Sequence, residues 1–598
     1  MMLGMTTRRS FIGGIAAVGA QMGGPSAVSA MAAPAGGSPV AATDEKPLLK
    51  IGVMTDTHIG DTKESCSRVR LAYELFRDIG VDLIVNGGDV ADRHSPAGYV
   101  AYREMVEETF AGVKTDHRPQ ELFVYATHDA FHYMGHSRED ARKDAPEAFA
   151  EMQRLIKSPN GPYAEGEIKG YPYVVIPQFS GREGKVDWAR FDAMLAAAVK
   201  FHPEKPVFVF AHVPPEGTTR HGSGSAEKRA ILDRYPQAVN ISGHVHGSLR
   251  DERAIWQGAF TSVSAGCLQN WGGVLTGAAA TRMQNYGALL IEVYAERIVF
   301  RRFDVRDRRE YAADAPWAIL WPFDPATAPY HAEIRCASAA VPQFAPGAKV
   351  EMKPDGDPFK SLTFAFPCVG GSMRPFTYRI ELSKRDAVSG WTPFARRDMF
   401  GDFWQRESER ARVVSQTFGA SYFEEGREYR VAVAPRNSWG REGKSIETVF
   451  TAGKPVRDGA LVWESSNPMK ECQFLKGLAG KEAYVAKDGF YALERNAQAR
   501  LVLPKDAWKA PKETRFRFTV DMHTIQGETP CWDIVLRNRK PVSNAVQRIG
   551  TPPGDSGIQR YVIEFTKPDA TYSYSLLVRY GGKGRIRFAY ARIERLKS

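Results

Sequence analysis

The sequence predicts an α/β domain followed by two all-β sandwich domains. Three observations carry this. From Leu48 to about Phe303, short apolar runs alternate with longer amphipathic stretches, the rhythm of strands and helices taken in turn. Between 331 and 453 the helical period disappears, and short alternating runs divided by turn residues replace it. From 454 to 598 a second set of such runs follows. With 598 residues the chain exceeds what one hydrophobic core can organise, so several domains are required.

In chain order, residues 1–33 come first and carry only two charges, Arg8 and Arg9, placed before Ser10-Phe11-Ile12 and a Gly/Ala-rich run to Ala20. Small residues then cluster at Ala30, Ala32 and Ala33. This pattern is similar to a twin-arginine export signal, which implies recognition by the twin-arginine translocase, cleavage near residue 33 and a periplasmic or secreted product. Residues 34–47 read as a linker. The α/β domain is expected over 48–306, with strands in LLKIGVMTD, VDLIVNGGD, ELFVYAT, VVIPQF, PVFVFAHV and VNISGHVH and helices near 64–79, 97–111 and 226–235. A Pro/Trp-rich connector occupies 307–330, where Trp317 and Trp321 imply that it packs against something. Residues 331–453 suit one sandwich, and the run from Tyr429 to Gly440 resembles the late strand and turn of a fibronectin type III-like module. Residues 454–598 suit a second, with strands at 515–520, 561–565 and 585–590, and resemble a carbohydrate-binding jelly roll. Trp463, Trp508 and Trp532 have the chemistry to stack on sugars, although core packing is the default for such residues.

Composition narrows the partners. The hydrophobic fraction is 43% and the charged fraction 25%, ordinary for a globular chain, and past the signal no run approaches the roughly 20 apolar residues that span a bilayer. The formal charge of +11 suits an anionic substrate or surface. The densest basic run, from Phe300 to Arg309, alternates Arg with Asp and apolar residues and reads as a solvated strand face, so no nucleic acid is expected. The six cysteines form no C-x-x-C, which excludes a cysteine metal cluster and leaves both disulfides and buried thiols open.

The chemistry concentrates at strand ends: Asp56-Thr57-His58, Gly88-Asp89, Thr127-His128-Asp129, Ala211-His212 and Gly243-His244-Val245-His246. Residues that end the strands of an α/β sheet converge on one rim, where such folds place ligands. Period-two alternation then puts Asp56 and His58 on one side of the chain, and likewise His244 and His246, so that each pair can pinch a cation. Carboxylate and imidazole together suit Zn, Mn or Fe better than Ca or Mg.

This order of motifs resembles the calcineurin-like metallophosphoesterases over about 250 residues. The resemblance implies two packed mixed β-sheets flanked by helices and two divalent transition metal ions. By position, Asp56, His58 and His246 would hold the first ion, Asp89 would bridge, and His212 and His244 would hold the second. His128 would be the general acid or a phosphate-contacting residue, oriented by Asp129. The implied activity is hydrolysis of a phosphomonoester or phosphodiester through a metal-bound hydroxide, with a glycan- or envelope-linked substrate suggested by the sandwich domains. One residue departs from the pattern. Thr127 stands where the family has Asn, and its shorter side chain predicts a weaker second metal site; His132 is a substitute ligand if a helix begins there. The competing reading is a catalytically weakened protein of the same fold that serves as a periplasmic glycan- or envelope-binding module.

Other residues invite a binding role. Arg93 and His94 follow the bridging aspartate closely, so they face either the substrate or solvent. His221, in His221-Gly222-Ser223-Gly224-Ser225, lies in either a phosphate cradle ahead of a helix or a flexible loop. No P-loop, dinucleotide fingerprint or G-x-S-x-G occurs. The export reading makes the first prediction. Arg8→Lys together with Arg9→Lys should leave unprocessed protein in the cytoplasm, measured by fractionation and N-terminal sequencing; normal processing and delivery of the double variant would contradict it.

Overall fold

The computed structural model describes residues 45–130, 145–177, 186–219, 224–268, 286–354, 361–370, 374–388, 390–404, 410, 412–419, 423–424, 426–452, 459–476, 484–485, 489–493, 497–525, 532–538, 545–549, 555–580 and 584–596. The export signal, most of the linker, His132 and His221 lie outside these residues.

Thirteen strands build the α/β part: β1 (Leu49–Met54), β2 (Leu83–Asn86), β3 (Gln120–Phe123), β4 (Ala164–Ile168), β5 (Tyr171–Val175), β6 (Val207–Phe210), β7 (Ala238–Ser242), β8 (Ile255–Gln257), β9 (Thr261–Ser264), β10 (Gly287–Val293), β11 (Arg297–Asp304), β12 (Arg309–Tyr311) and β13 (Trp317–Leu320). They form two mixed sheets, one ordered β12-β11-β10-β1-β2-β3 with β13 also on β11, the other β4-β5-β6-β7-β9-β8. Parallel pairing joins β1 to β2 to β3, and β5 to β6 to β7 to β9. The C-terminal ends of β1, β2, β3, β6 and β7 therefore carry all the sequence motifs to one rim.

Period-two alternation sorts the side chains into layers. Leu49, Ile51 and Val53 of β1 and Phe208 and Phe210 of β6 enter a core between the two sheets. Met54 and Ile84 face an outer core with α1 (Ser67–Ile79), α2 (Pro96–Thr109) and α3 (Ala145–Ile156), while Val207 and Val209 face another with α4 (Trp188–Phe201) and α5 (Ala226–Leu232). Gly52 lets α1 approach closely, since a Cβ there would fall 2.6 Å from the Phe76 ring. The three expected helices, α1, α2 and α5, begin and end within a few residues of the sequence expectation, α1 being preceded by a 3₁₀ turn over Lys63–Cys66, whereas α3 and α4 were not anticipated. No described helix is long and apolar enough to cross a membrane.

Two local expectations change. The connector at 307–330 is part of the first sheet, because it supplies β12 and β13, and Trp317 is buried between layers. Arg302, read as solvated, is buried: its guanidinium stacks 4.1 Å from the Trp317 ring and bonds Glu252 at 2.8 Å. Glu252 also accepts from Trp317 Nε1 and from Arg335 of α6 (Ala332–Ser338), so one carboxylate clamps the α/β domain to the helix that leads into the sandwiches.

The first sandwich packs a three-stranded sheet, with strands 351–354, 361–367 and 413–419, against a four-stranded one over a core that includes Phe364, Tyr378, Val431 and Phe450. The second packs a six-stranded sheet against a five-stranded one. Val562 of the second sandwich also packs against the core of the first. Trp508 is buried in the second core and Trp463 packs against it, so both take the core role; the Trp532 side chain lies outside the described residues. Cys66, Cys267, Cys336, Cys368 and Cys472 are all free thiols.

Candidate metal centre

The motif residues do not continue the strands. β1 ends at Met54, and the chain then turns with Asp56 (φ 51°) and His58 (φ 39°) in the left-handed region. Asp89 (50°), His244 (67°) and His246 (46°) do the same after β2 and β7. The expected extended alternation within Asp56-x-His58 and His244-x-His246 is therefore replaced by a left-handed backbone at both members of each pair. For residues other than Gly this conformation costs roughly 1–3 kcal/mol each and concentrates at functional sites.

Neighbouring loops hold the strained segments. Asp56 N–H donates to Gly88 O (3.0 Å), His58 N–H to Asp89 O (3.0 Å) and Ile59 N–H to Val90 O (2.9 Å), so the loops after β1 and β2 stay paired past the strands. His244 N–H donates to both oxygens of the Asp56 carboxylate (2.9 and 3.2 Å), and Thr55 Oγ1 donates to Oδ2 (2.8 Å). Gly243 is required here, because a Cβ would lie 2.0 Å from Thr55 Oγ1 and 2.5 Å from that carboxylate.

Among the described residues three groups of donor atoms result, Asp56–His58–His246, Asp89–His212–His244 and, sharing His58 with the first, His58–Asp92–His128, each with its atoms within 4.8 Å of one another. His246 Nε2 lies 3.0 Å from Asp56 Oδ1 and 3.2 Å from His58 Nε2. His212 Nε2 lies 3.0 Å from Asp89 Oδ2 and 3.7 Å from Asp56 Oδ1, and His58 Nε2 is 4.0 Å from Asp89 Oδ2. Both carboxylates thus stand between the groups. His212 Nδ1 is engaged by Gly87 O at 2.9 Å, which leaves Nε2 as the nitrogen facing the centre. That Nε2 is buried without hydrogen-bond geometry to any described group, as suits a metal ligand. The donor set of imidazoles and carboxylates fits Zn, Mn or Fe.

Charges within the cluster outweigh burial. Burial raises both aspartates, yet His246 and His212 hold Asp56, and His212 above all holds Asp89, below the usual carboxylate range. Burial alone would depress His212, but Asp89 and Asp56 push it up to about 9, and Asp56 likewise raises His246. Burial brings His58 and His244 down to about 4. His246 also hydrogen-bonds the Cys267 thiol, which no sequence motif indicated.

His128 sits at the edge of the first group, its ring centroid 4.8 Å from that of His58, and its N–H donates to Asp89 Oδ1 (3.0 Å). The orienting contact expected from Asp129 is made instead by Asp92, whose carbonyl lies 2.5 Å and carboxylate 3.9 Å from His128 Nδ1. Its spacing from Asp89, G-D-x-x-D, is the sequence signal that the motif reading passed over. Asp129 has a different task. One of its oxygens accepts from Val90 N–H (2.9 Å) and Ala91 N–H (3.2 Å), the other from Ala126 N–H (3.1 Å), so it ties the loop of Asp89 to the loop of His128. Burial, then the nearby Asp89 charge, pushes its carboxyl up to about 8.

His94 is likewise structural. It is buried between Asp129 O (3.0 Å) and Glu151 of α3 (2.8 Å), which corrects the expectation that it faces a substrate, whereas Arg93 is exposed. Thr127 is buried at the start of the His128 turn.

Comparison with known proteins gives the same reading. Residues 49–248 match the calcineurin-like phosphoesterase family. The α/β part is metallophosphoesterase-like, and the match supports a hydrolase of phosphoric esters. Among solved structures, the chain is similar to a dimetal phosphatase from Danio rerio, with 13% identity over 46% of this chain and 100% of that one at a TM-score of 0.30. It is also similar to the protein TT1561 of Thermus thermophilus, with 12% identity over 44% and 97% at a TM-score of 0.27. A third likeness is to the CBM22-1 xylan-binding domain of Paenibacillus barcinonensis Xyn10C, with 12% identity over 24% and 99% at a TM-score of 0.19. No curated protein sequence matches the chain significantly.

The left-handed ligands make a prediction that runs against ordinary propensity. In metal-free protein, His58→Gly should be more stable than His58→Ala by about 1 kcal/mol, and His246→Gly more stable than His246→Ala, because only glycine adopts positive φ freely. Denaturant unfolding of the four variants measures this, and an alanine variant as stable as its glycine counterpart would contradict the backbone assignment.

Proposed function

We propose that this protein is an exported, metal-dependent phosphoesterase that hydrolyses a phosphomonoester or phosphodiester carried by a glycan or cell-envelope polymer. The observation that carries the reading is the pair of donor groups, Asp56–His58–His246 and Asp89–His212–His244, with both carboxylates standing between them. When bound, two divalent ions would polarise the phosphoryl group and supply a water nucleophile near neutral pH. The chain's own residues do the remainder. Asp89 serves both groups, and Asp129 keeps its loop in register with that of His128. His128, held at Nδ1 by Asp92, offers its other nitrogen to protonate the leaving oxygen. Arg93, exposed next to Asp92, meets the phosphate oxygens. Thr127 leaves the second group with three ligand side chains, so its ion is the weaker. The sandwich domains hold the polymer, and the paired arginines at the N-terminus direct export.

The test is hydrolysis of aryl phosphate mono- and diesters by metal-stripped protein refilled separately with Mn, Zn, Fe or Ni. Activity should vanish on stripping and return in two steps as metal is titrated, and Thr127→Asn should shift the second step to lower metal concentration. Hydrolysis that survives stripping would contradict the reading. Absence of turnover with every metal would favour the weakened, binding-only alternative.

A further inference from the structure

We propose that the second sandwich carries an anion-binding site on the outer face of its six-stranded sheet, built from Phe490, His523, Arg585 and Arg587 and suited to the carboxylate or phosphate groups of an anionic polymer. The face is set by alternation. Tyr491, Met522, Ile586 and Phe588 point into the core, so Phe490, His523, Arg585 and Arg587 lie on the opposite side. Register then gathers them, since His523 pairs with Arg587 across strands 515–525 and 584–596, and Tyr491 pairs with Ile586.

Phe490 is only 7% exposed, yet the core cluster of this sandwich, taken over the described residues, does not include it. Among the described residues, the Arg585 and Arg587 guanidiniums lie 5.2 and 5.4 Å from its ring centroid, and the His523 ring lies edge-on at 4.9 Å. The ring face attracts both cations, but two guanidiniums over one ring also repel each other. A bound anion would lower that repulsion further.

Arg587 is the residue that points to a ligand. Its Nε is buried without a partner. Other arginines with such an Nε, including Arg103, Arg302, Arg379 and Arg592, reach a carboxylate through another nitrogen, whereas Arg587 reaches none among the described residues. Asp521, the next outward residue after His523 on strand 515–525, is opposite Tyr590 rather than Arg587. A planar guanidinium with free donors, beside a second one, matches the two oxygens of a carboxylate or phosphate. A uronate polymer and a polyol phosphate polymer share this chemistry.

The test is calorimetric binding of the full-length protein to polygalacturonate, to poly(glycerol phosphate) and to neutral xylan, for wild type, Arg587→Gln and Arg585→Gln. Wild type should bind one or both anionic polymers and not xylan, the arm that binds identifying the source of the anion. Each Gln variant should weaken that binding roughly tenfold or more, because a charge-assisted hydrogen bond is lost. Aryl phosphate hydrolysis should not change, so failure here is distinct from failure of the catalytic reading. If a variant melts early, competition on the unaltered protein decides: glucuronate or glycerol phosphate should displace the polymer that carries the same group, and glucose should not. Unchanged binding in folded variants, tighter binding to xylan, no binding to either anionic polymer, or displacement by glucose as effective as by the matching anion would overturn the proposal.

Discussion

The centre depends on a backbone constraint. Asp56, His58, Asp89, His244 and His246 reach one another only because each sits in left-handed conformation just past a strand end. An extended chain would carry the second residue of each pair several ångströms further along the strand. The fold tolerates the resulting strain because the loops are cross-tied, backbone to backbone between the segments after β1 and β2, and backbone to carboxylate between His244 and Asp56. Asp129 makes the third tie. Strain of this kind persists only where the surroundings over-determine it.

The electrostatics follow from the same geometry. Two buried carboxylates side by side would repel, and each is met by an imidazole at 3.0 Å, His246 on Asp56 and His212 on Asp89. The histidines that oppose a carboxylate directly are raised, and the other two, His58 and His244, are depressed by burial. The site is therefore balanced for positive charge held between its side chains. Cations bound there would take the place of the protons on His212 and His246, since imidazole ligates in its neutral form. The outer layers of the α/β domain and the Glu252 clamp keep this rim fixed relative to the chain that leads to the sandwiches.

Much of this was legible from residue order. Strand ends announce themselves where an apolar run stops at an Asp, His or Gly, and the motifs after β1, β2, β3, β6 and β7 read directly because parallel strands bring those ends together. What could not be read is what happens within each turn. Period-two alternation placed Asp56 and His58 on a common side for the wrong reason, since left-handed φ values are invisible in residue types other than Gly. The orienting task expected of Asp129 falls to Asp92, to which no task was assigned, because adjacency in sequence says nothing about which groups a carboxylate will find. Arg302 seemed solvated because its partners, Glu252 and Trp317, lie 50 residues before it and in the connector after it. His94 was misjudged for the same reason, its partner Glu151 being 57 residues away.

The measurement that bears most directly on the centre is anomalous diffraction from crystals of the protein loaded with Mn or Zn, recorded at the edge of the metal. Two peaks should appear, one among Asp56, His58 and His246 and one among Asp89, His212 and His244, with the second of lower occupancy. A single peak, two peaks of equal occupancy at limiting metal, or density outside these residues would contradict the account.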